Sequence, residues 1–182
     1  NTDVNFFLKK ICKKISYEKI TNSKTHKDWL KKSIYWKKKY PTVSKEFSLK
    51  KSFINPYLFI GELSEQLRND DIIIPDDGAH LTWCMQAFKV KLGQRLFSAF
   101  GNSPMGYALP ASIGASIASN KKRVICIDGD GSLQINIQEL QTIVNEKLPI
   151  KIFIFNNFGY GIIKQFQDLY LGSRFEATGK GV

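Results

Sequence analysis

The sequence is short of the features that staple or anchor a protein. It has three cysteines, Cys12, Cys84 and Cys126, an odd number without metal-ligand spacing. That pattern excludes a disulfide framework and a zinc site, and it leaves reduced, buried thiols. No apolar run approaches the ~20 residues that a membrane span needs, so the chain reads as soluble and cytoplasmic. Acidic residues are scarce in the first 51 positions, which hold four of the 16 Asp and Glu but fifteen of the 27 Lys and Arg. The whole formal excess of +11 therefore belongs to this leader, and the remainder, twelve basic against twelve acidic residues, is neutral. A basic nucleic-acid-binding face on the folded body is excluded on that ground. The chain opens on Asn rather than Met and closes on Val182 after Gly-Lys-Gly, which reads as a piece of a longer protein.

What is present divides in two. In residues 1–51, lysine pairs alternate with Phe6, Phe7, Leu8, Ile11 and Ile15, and then with Trp29, Leu30, Ile34, Tyr35 and Trp36. These spacings predict two amphipathic helices with solvated Lys faces, the second stopped by Pro41. A basic helical linker, or the tail of a preceding domain, fits this segment better than aromatic stacking on nucleic acid does.

From residue 52 to residue 182 the pattern is that of a separate domain, cut short at its C-terminal end. Asn55-Pro56 caps and opens a helix, and Asp71–Pro75 reads as a short buried strand. A helix follows Asp76-Asp77-Gly78, and Leu96–Phe100 is a further strand candidate. Met105–Ser119 carries a stripe of small residues, Ala111, Gly114, Ala115 and Ala118, suited to close helix packing. Val124–Ile127 and Ile150–Phe155 are continuous apolar strands. Between them a helix from about Asn136 to Glu146 is expected, with Asn136 and Glu139 as a capping box. Apolar strands alternating with amphipathic helices predict an α/β fold, a doubly wound parallel sheet flanked by helices and preceded by the basic helical linker.

In such sheets ligands bind beyond the carboxyl ends of the strands. Four runs end there suggestively: Asp77-Gly78-Ala79-His80, Gly101–Gly106, Asp128–Ser132 and Asn156–Gly161. Asp130 and Asn157 are hard oxygen donors at the ends of two strands. With a backbone carbonyl near Gly159 they suit Mg²⁺ and leave room for a diphosphate. Taken singly, Asp130 and the two asparagines are equally turn residues, and His80 serves either a diphosphate or a helix N-terminus. Joint spacing favours the ligand reading.

Gly129-Asp130-Gly131, followed 27 residues after the aspartate by the second Asn of Asn156-Asn157, resembles the signature of thiamine diphosphate-dependent enzymes. Gly78-Ala79-His80, Met105–Ala111 and Gly161–Gln167 are similar, in order and spacing, to the acetolactate synthase-like branch of that family. The resemblance covers about residues 55 to 175. It implies Mg²⁺ on Asp130, Asn157 and the Gly159 carbonyl, and diphosphate contacts from Gly78, Ala79, His80, Gly131, Ser132, Tyr160 and Gly161. It implies that the Ser103 carbonyl holds the aminopyrimidine amine and that Met105 wedges under the cofactor, bending it so that this amine meets the thiazolium carbon. The implied reaction is decarboxylation of a 2-oxo acid such as pyruvate, with transfer of the acyl unit to a carbonyl acceptor. A homodimer or homotetramer is implied, with flavin (FAD) an option for the full-length protein.

The activating glutamate of the family belongs to a pyrimidine-binding domain that nothing here matches, so no catalytic residue is assigned and this stretch alone is expected to be inactive. Where synthases of that branch carry Met and Trp, this chain has Ile162 and Phe166, at positions facing the acceptor. Two alternatives are weighed against this reading. One is a haloacid dehalogenase-like Mg²⁺-dependent phosphatase, with Asp128 as nucleophile and Asp130 as acid/base. The other is a non-catalytic module for cofactor binding or oligomerisation.

Overall fold

The computed structural model describes residues 3–15, 23–44, 46–47 and 53–178. The chain falls into two units, Asn1–Thr42 and Val43–Val182. The expected boundary at residues 51 and 52, and the Gly-Lys-Gly close, lie outside the described residues.

The first unit holds α1 (Val4–Lys14) and α2 (Lys24–Lys39). Asp3 caps α1, its carboxylate accepting from the N–H of Phe6 at 3.0 Å. Lysines 13 and 14, and 37 to 39, fill the last turns, where the helix dipole favours cations. Neither helix buries a residue. Cys12 is exposed on α1, which corrects the expectation of three buried thiols.

The second unit begins with α3 (Pro56–Gln66). Asn55 starts it by accepting from the N–H groups of Tyr57 and Leu58, and Pro56 occupies the first turn, where a missing N–H costs nothing. Then follow β1 (Ile72–Pro75), α4 (Ala79–Ala87), β2 (Arg95–Leu96), α5 (Ala108–Ala118), β3 (Val124–Gly129), α6 (Asp130–Ile135), α7 (Glu139–Asn145), β4 (Ile150–Phe155) and α8 (Gly161–Tyr170). The strands form one sheet in the order β2-β1-β3-β4, and each described pairing is parallel. Ile60, Leu63 and Leu67 from the α3 region, with Cys84 and Ala87 of α4, pack against Ile73, Ile125 and Ile127 on one face. Ala108, Ala111 and Ala115 of α5 pack against Ile72, Ile74, Val124 and Cys126 on the other. Helices on both faces explain why β1 and β3 read as unbroken apolar runs.

This is the doubly wound sheet that the sequence predicts. From β1 the chain runs through α4 to β2 on one side, then crosses by α5 to β3 on the other. The topological switch point thus lies between β1 and β3, and their carboxyl ends open a crevice. At the opposite edge, buried Asp71 accepts from the Arg123 guanidinium and from the N–H of Arg68, which pins the starts of both strands. Among the described residues no helix is long and apolar enough to cross a membrane.

Three local expectations are corrected. The strand expected over Leu96–Phe100 is only Arg95–Leu96, extended by one bond from the N–H of Phe97 to the Ile73 carbonyl. The helix expected from Asn136 starts only at Glu139, as α7, after a turn over residues 136–138 that separates it from α6, because the Asn136 side chain bonds the Gly106 carbonyl at 2.7 Å instead of capping α7. In the small-residue stripe, Ala111 and Ala115 pack on β1 and β3 while Gly114 and Ala118 stay exposed, so the stripe lines an open groove beside the sheet rather than a close helix contact.

Candidate metal and cofactor site

The four loops expected to form one rim do so. A cavity of about 290 Å³ lies at the carboxyl ends of β1, β3 and β4. Eleven of the twelve expected residues line it: Gly78, Ala79, His80, Met105, Asp130, Gly131, Ser132, Asn157, Gly159, Tyr160 and Gly161. Ser103 does not. It is exposed, with φ +45°, in the loop before α5, where its N–H donates to the Ala99 carbonyl at 2.8 Å.

Each lining group is placed by local structure. Asp130 is the first residue of α6, immediately after β3. Its carboxylate accepts from the N–H of Gly159 at 3.0 Å and from the N–H of Asn157 at 3.4 Å, so the β3 and β4 loops are joined through it. The Asn156 side chain accepts from the N–H of Phe158 at 3.0 Å, a turn that brings the chain round to Gly159. Gly159 has φ +144°, and a Cβ there would meet the Thr178 carbonyl at 2.7 Å. No other residue fits that turn without moving the chain that crosses it.

The Asn157 amide oxygen then stands 3.1 Å from Asp130 Oδ1 and 2.5 Å from the Gly159 carbonyl oxygen. Those positions suit either an NH₂ group donating to both oxygens or a cation that draws all three oxygens together. For octahedral Mg²⁺, at about 2.0–2.1 Å from each ligand, neighbouring oxygens lie about 2.9 Å apart. The 3.1 Å separation is close to that edge and the 2.5 Å one is shorter, so the Asn157 side chain stands beside both other candidate oxygens.

The surroundings are acidic below and positively polarised above. Asp77 lines the cavity, and burial, followed by the neighbouring Asp76 charge, raises its carboxyl from the ordinary range. Beneath it, Asp76, His80 and Asp128 are all buried, with ligand atoms within 4.8 Å of one another. Both Asp76 oxygens are committed to backbone donors, the N–H groups of Gly106 and Ala108 at 2.8 and 2.7 Å. Asp128 Oδ1 accepts from the N–H of Gly129 at 2.8 Å and from the Ser132 hydroxyl, while burial pushes its carboxyl up to about 6. Burial lowers the His80 imidazole, against the opposing pull of the Asp76 and Asp130 charges. Asp128 Oδ2 and His80 Nε2 are buried and without partners among the described residues. Two buried polar atoms of this cluster thus stand unpaired, and the Asp76 oxygens are already committed to backbone donors.

An anion entering the cavity meets the N-termini of α4 and α8, whose unpaired N–H groups favour negative charge. A divalent ion held at Asp130 would offset the carboxylates. Asp128 is fully buried and cannot reach a substrate, which removes the phosphatase alternative.

Ile54, Pro56, Asp77, Trp83, Phe155 and Ile163 also line the cavity, outside the set expected for metal and diphosphate. Phe155 ends β4 and stacks on the His80 ring at 6.4 Å and 10°. Trp83 follows His80 by one helical turn, so strand ends and helical spacing were the signals for both. Ile162 lines the cavity, whereas Phe166 packs against Tyr170 at 4.8 Å and does not.

Comparison with known proteins places the chain in a family. Residues 76–181 match the family model described as thiamine pyrophosphate enzyme, C-terminal TPP binding domain. The chain is similar to the acetolactate synthase large subunit of Cyanidium caldarium, 41% identical over 147 residues, 81% of this chain and 24% of the relative. It is 39% identical over 134 residues to acetolactate synthase 3, chloroplastic, of Brassica napus, covering 74% of this chain and 20% of that protein. It is 34% identical over 121 residues to the acetolactate synthase isozyme 2 large subunit of Escherichia coli K12, covering 66% and 22%. The chain thus spans about a quarter of the length of the curated relatives that it matches.

Proposed function

Because this chain belongs to the family of thiamine pyrophosphate enzymes, as their C-terminal TPP-binding domain, we propose that Asp130, the Asn157 amide oxygen and the Gly159 carbonyl hold Mg²⁺ within it. Gly78, Ala79 and His80, with Gly131, Ser132, Tyr160 and Gly161, receive the diphosphate, and Met105 stands beneath the cofactor. The observation that carries this reading is the place of the Asn157 side-chain amide in the cavity lining, 3.1 Å from Asp130 Oδ1 and 2.5 Å from the Gly159 carbonyl oxygen. Support also comes from the shared lining, which includes every residue named here.

When bound, thiamine diphosphate supplies the electron sink for decarboxylating a 2-oxo acid and passing on the acyl unit. The chain's own groups bind and orient. The α4 and α8 N-termini hold the anion, Asp130 keeps the two loops joined, and Phe155, Trp83 and Ile162 keep water from one wall. In our reading the full-length protein is an acetolactate synthase-like carboligase taking pyruvate or a related 2-oxo acid. Its activating glutamate lies outside residues 1–182, so residues 52–182 form the cofactor domain and cannot act alone. Assembly as a homodimer or homotetramer follows the same reading. Free thiols at Cys84 and Cys126 suit a reducing compartment, and we assign the cytoplasm.

Calorimetry of the full-length protein with thiamine diphosphate and Mg²⁺ tests the site. Asp130→Ala is expected to weaken Mg²⁺-dependent cofactor binding by about 100-fold or more, since it removes the one charged ligand and the bridge between two loops. Unchanged binding would falsify the assignment.

A further inference from the structure

The cavity's least explained neighbour is the Gly106 peptide, which follows Met105 directly. Its two polar groups are held by side chains from opposite sides. Its N–H donates to Asp76 Oδ2 at 2.8 Å, and its carbonyl accepts from the Asn136 amide at 2.7 Å. Asp76 is itself fixed: it is fully buried, its N–H donates to the Ile127 carbonyl at 2.8 Å, and its other oxygen accepts from Ala108 at the start of α5. Asn136 is oriented in turn by Gln138, whose amide donates to Asn136 Oδ1 at 3.3 Å. Gly106 has φ +80°, and a Cβ there would stand 2.9 Å from Ile135 and 3.1 Å from the Asn136 nitrogen. The turn thus admits only glycine, and two side chains some 30 positions away on either side of it in the sequence each hold one of the two peptide planes that flank it, Asp76 the Met105–Gly106 plane and Asn136 the Gly106–Tyr107 plane.

From this geometry we infer that Asp76 and Asn136 are positioning residues. They act through the two peptides that meet at Gly106 to set the height and direction of Met105, the group beneath the cofactor. This rests on the Met105 role given above. Asn136 also ends the helix that begins at Asp130. One six-residue helix therefore carries a proposed metal ligand at its first turn and the clamp on Met105 at its last. Its length, about 9 Å, fixes the spacing between the cation and the pedestal. Neither Asp76 nor Asn136 lines the cavity, so neither touches the cofactor directly.

The test uses the full-length protein loaded with thiamine diphosphate and Mg²⁺. Its readouts are cofactor affinity by calorimetry and, separately, exchange of the thiazolium C2 proton of bound cofactor in D₂O, quenched with acid and read by NMR. Asn136→Asp keeps the shape but sets an acceptor against the Gly106 carbonyl. Asn136→Ala only deletes the donor and preserves folding if the first variant does not fold. Both are expected to slow C2 exchange by about 10- to 100-fold, the effect of a displacement near 1 Å at a reacting centre, while affinity changes less than about threefold. Met105→Ala is the control. If it slows exchange and both Asn136 variants exchange at the wild-type rate, the clamp is refuted and the Met105 role stands. The clamp is equally refuted if the Asn136 variants weaken affinity yet leave exchange in the bound state untouched, since that is a purely structural effect. If Met105→Ala also exchanges normally, the pedestal reading fails and the clamp falls with it.

Discussion

The leader and the body are both rich in amphipathic helix, yet they use it differently. In α1 and α2 every apolar residue of the stripes stays exposed, from Phe6 and Phe7 at 53% and 51% to Trp29 at 59%. In α3, α4 and α5 the corresponding stripes are buried on a sheet, with Ile60, Cys84 and Leu109 at 1% or less. An amphipathic pattern with caps suffices to form a helix, but a helix gains tertiary stability only from a surface that accepts its apolar face. The four-stranded sheet supplies that surface in the body, and the described part of the leader contains no counterpart.

The largest effect expected from this contrast comes from truncating the sheet's centre. Ile73→Ala in β1 removes a side chain with no solvent exposure from a position flanked by β2 and β3. It is expected to cost about 2–5 kcal/mol, read as a lower midpoint in urea with an unchanged slope. The same truncation at Ile34 of α2, 47% exposed, is expected to cost under about 1 kcal/mol. Equal losses at both positions would break the contrast.

How far the sequence alone reached follows the same divide between local and distant interactions. Strands β1, β3 and β4 are legible because burial on both faces leaves continuous apolar runs, and α3 is legible because Asn55 and Pro56 are local signals. The residues that line the cavity are legible because a parallel sheet gathers its ligands at strand ends, so position relative to Val124–Ile127 and Ile150–Phe155 locates Asp130 and Asn157. What fails has a partner far off in the chain. Asn136 reads as a helix cap from its neighbours, but its amide is drawn to a carbonyl 30 residues earlier. Asp76 carries no visible signal, since its partners are backbone N–H groups at Gly106 and Ala108. Ser103 is instead held locally, its N–H donating to the Ala99 carbonyl at 2.8 Å in a left-handed turn outside the cavity lining.

A second prediction, of intermediate size and opposite sign, sharpens the account of the body. The folded state raises the Asp128 carboxyl to about 6 from an ordinary value of 3.8, chiefly by burial. A raised folded value means that this group's contribution is fully present below the unfolded value and is lost as pH rises through about 6. Without Mg²⁺, the ionised carboxylate therefore costs about 3 kcal/mol above pH 6, an order-of-magnitude figure. Asp128→Asn keeps an oxygen for the Gly129 N–H and the Ser132 hydroxyl and turns an amide toward the floor. It is expected to raise the melting temperature at pH 7.5 by several degrees and to flatten the change in stability between pH 4 and pH 6. A lower melting temperature with the slope retained would show that the buried Asp128 carboxyl is not the source of the pH dependence.

The smallest effect belongs to the leader, and it is the sharper test of whether that segment is as open in solution as its exposure implies. Lys32 stands 4.9 Å from the Trp36 ring centroid, one helical turn away, and Trp36 meets Trp29 edge-on at 5.8 Å. On a solvated helix face a cation over an aromatic ring contributes about 0.5–1 kcal/mol, and the pair acts on α2 alone. Lys32→Ala should therefore lower leader helicity slightly, seen as a small loss of far-ultraviolet dichroism, and leave the urea midpoint of the body where it was. A shift of the body's midpoint comparable to that of Ile73→Ala would mean that the aromatic face of α2 is packed in solution. The difference between the two units would then lie in what covers each helix, because the helices themselves are built by the same rules.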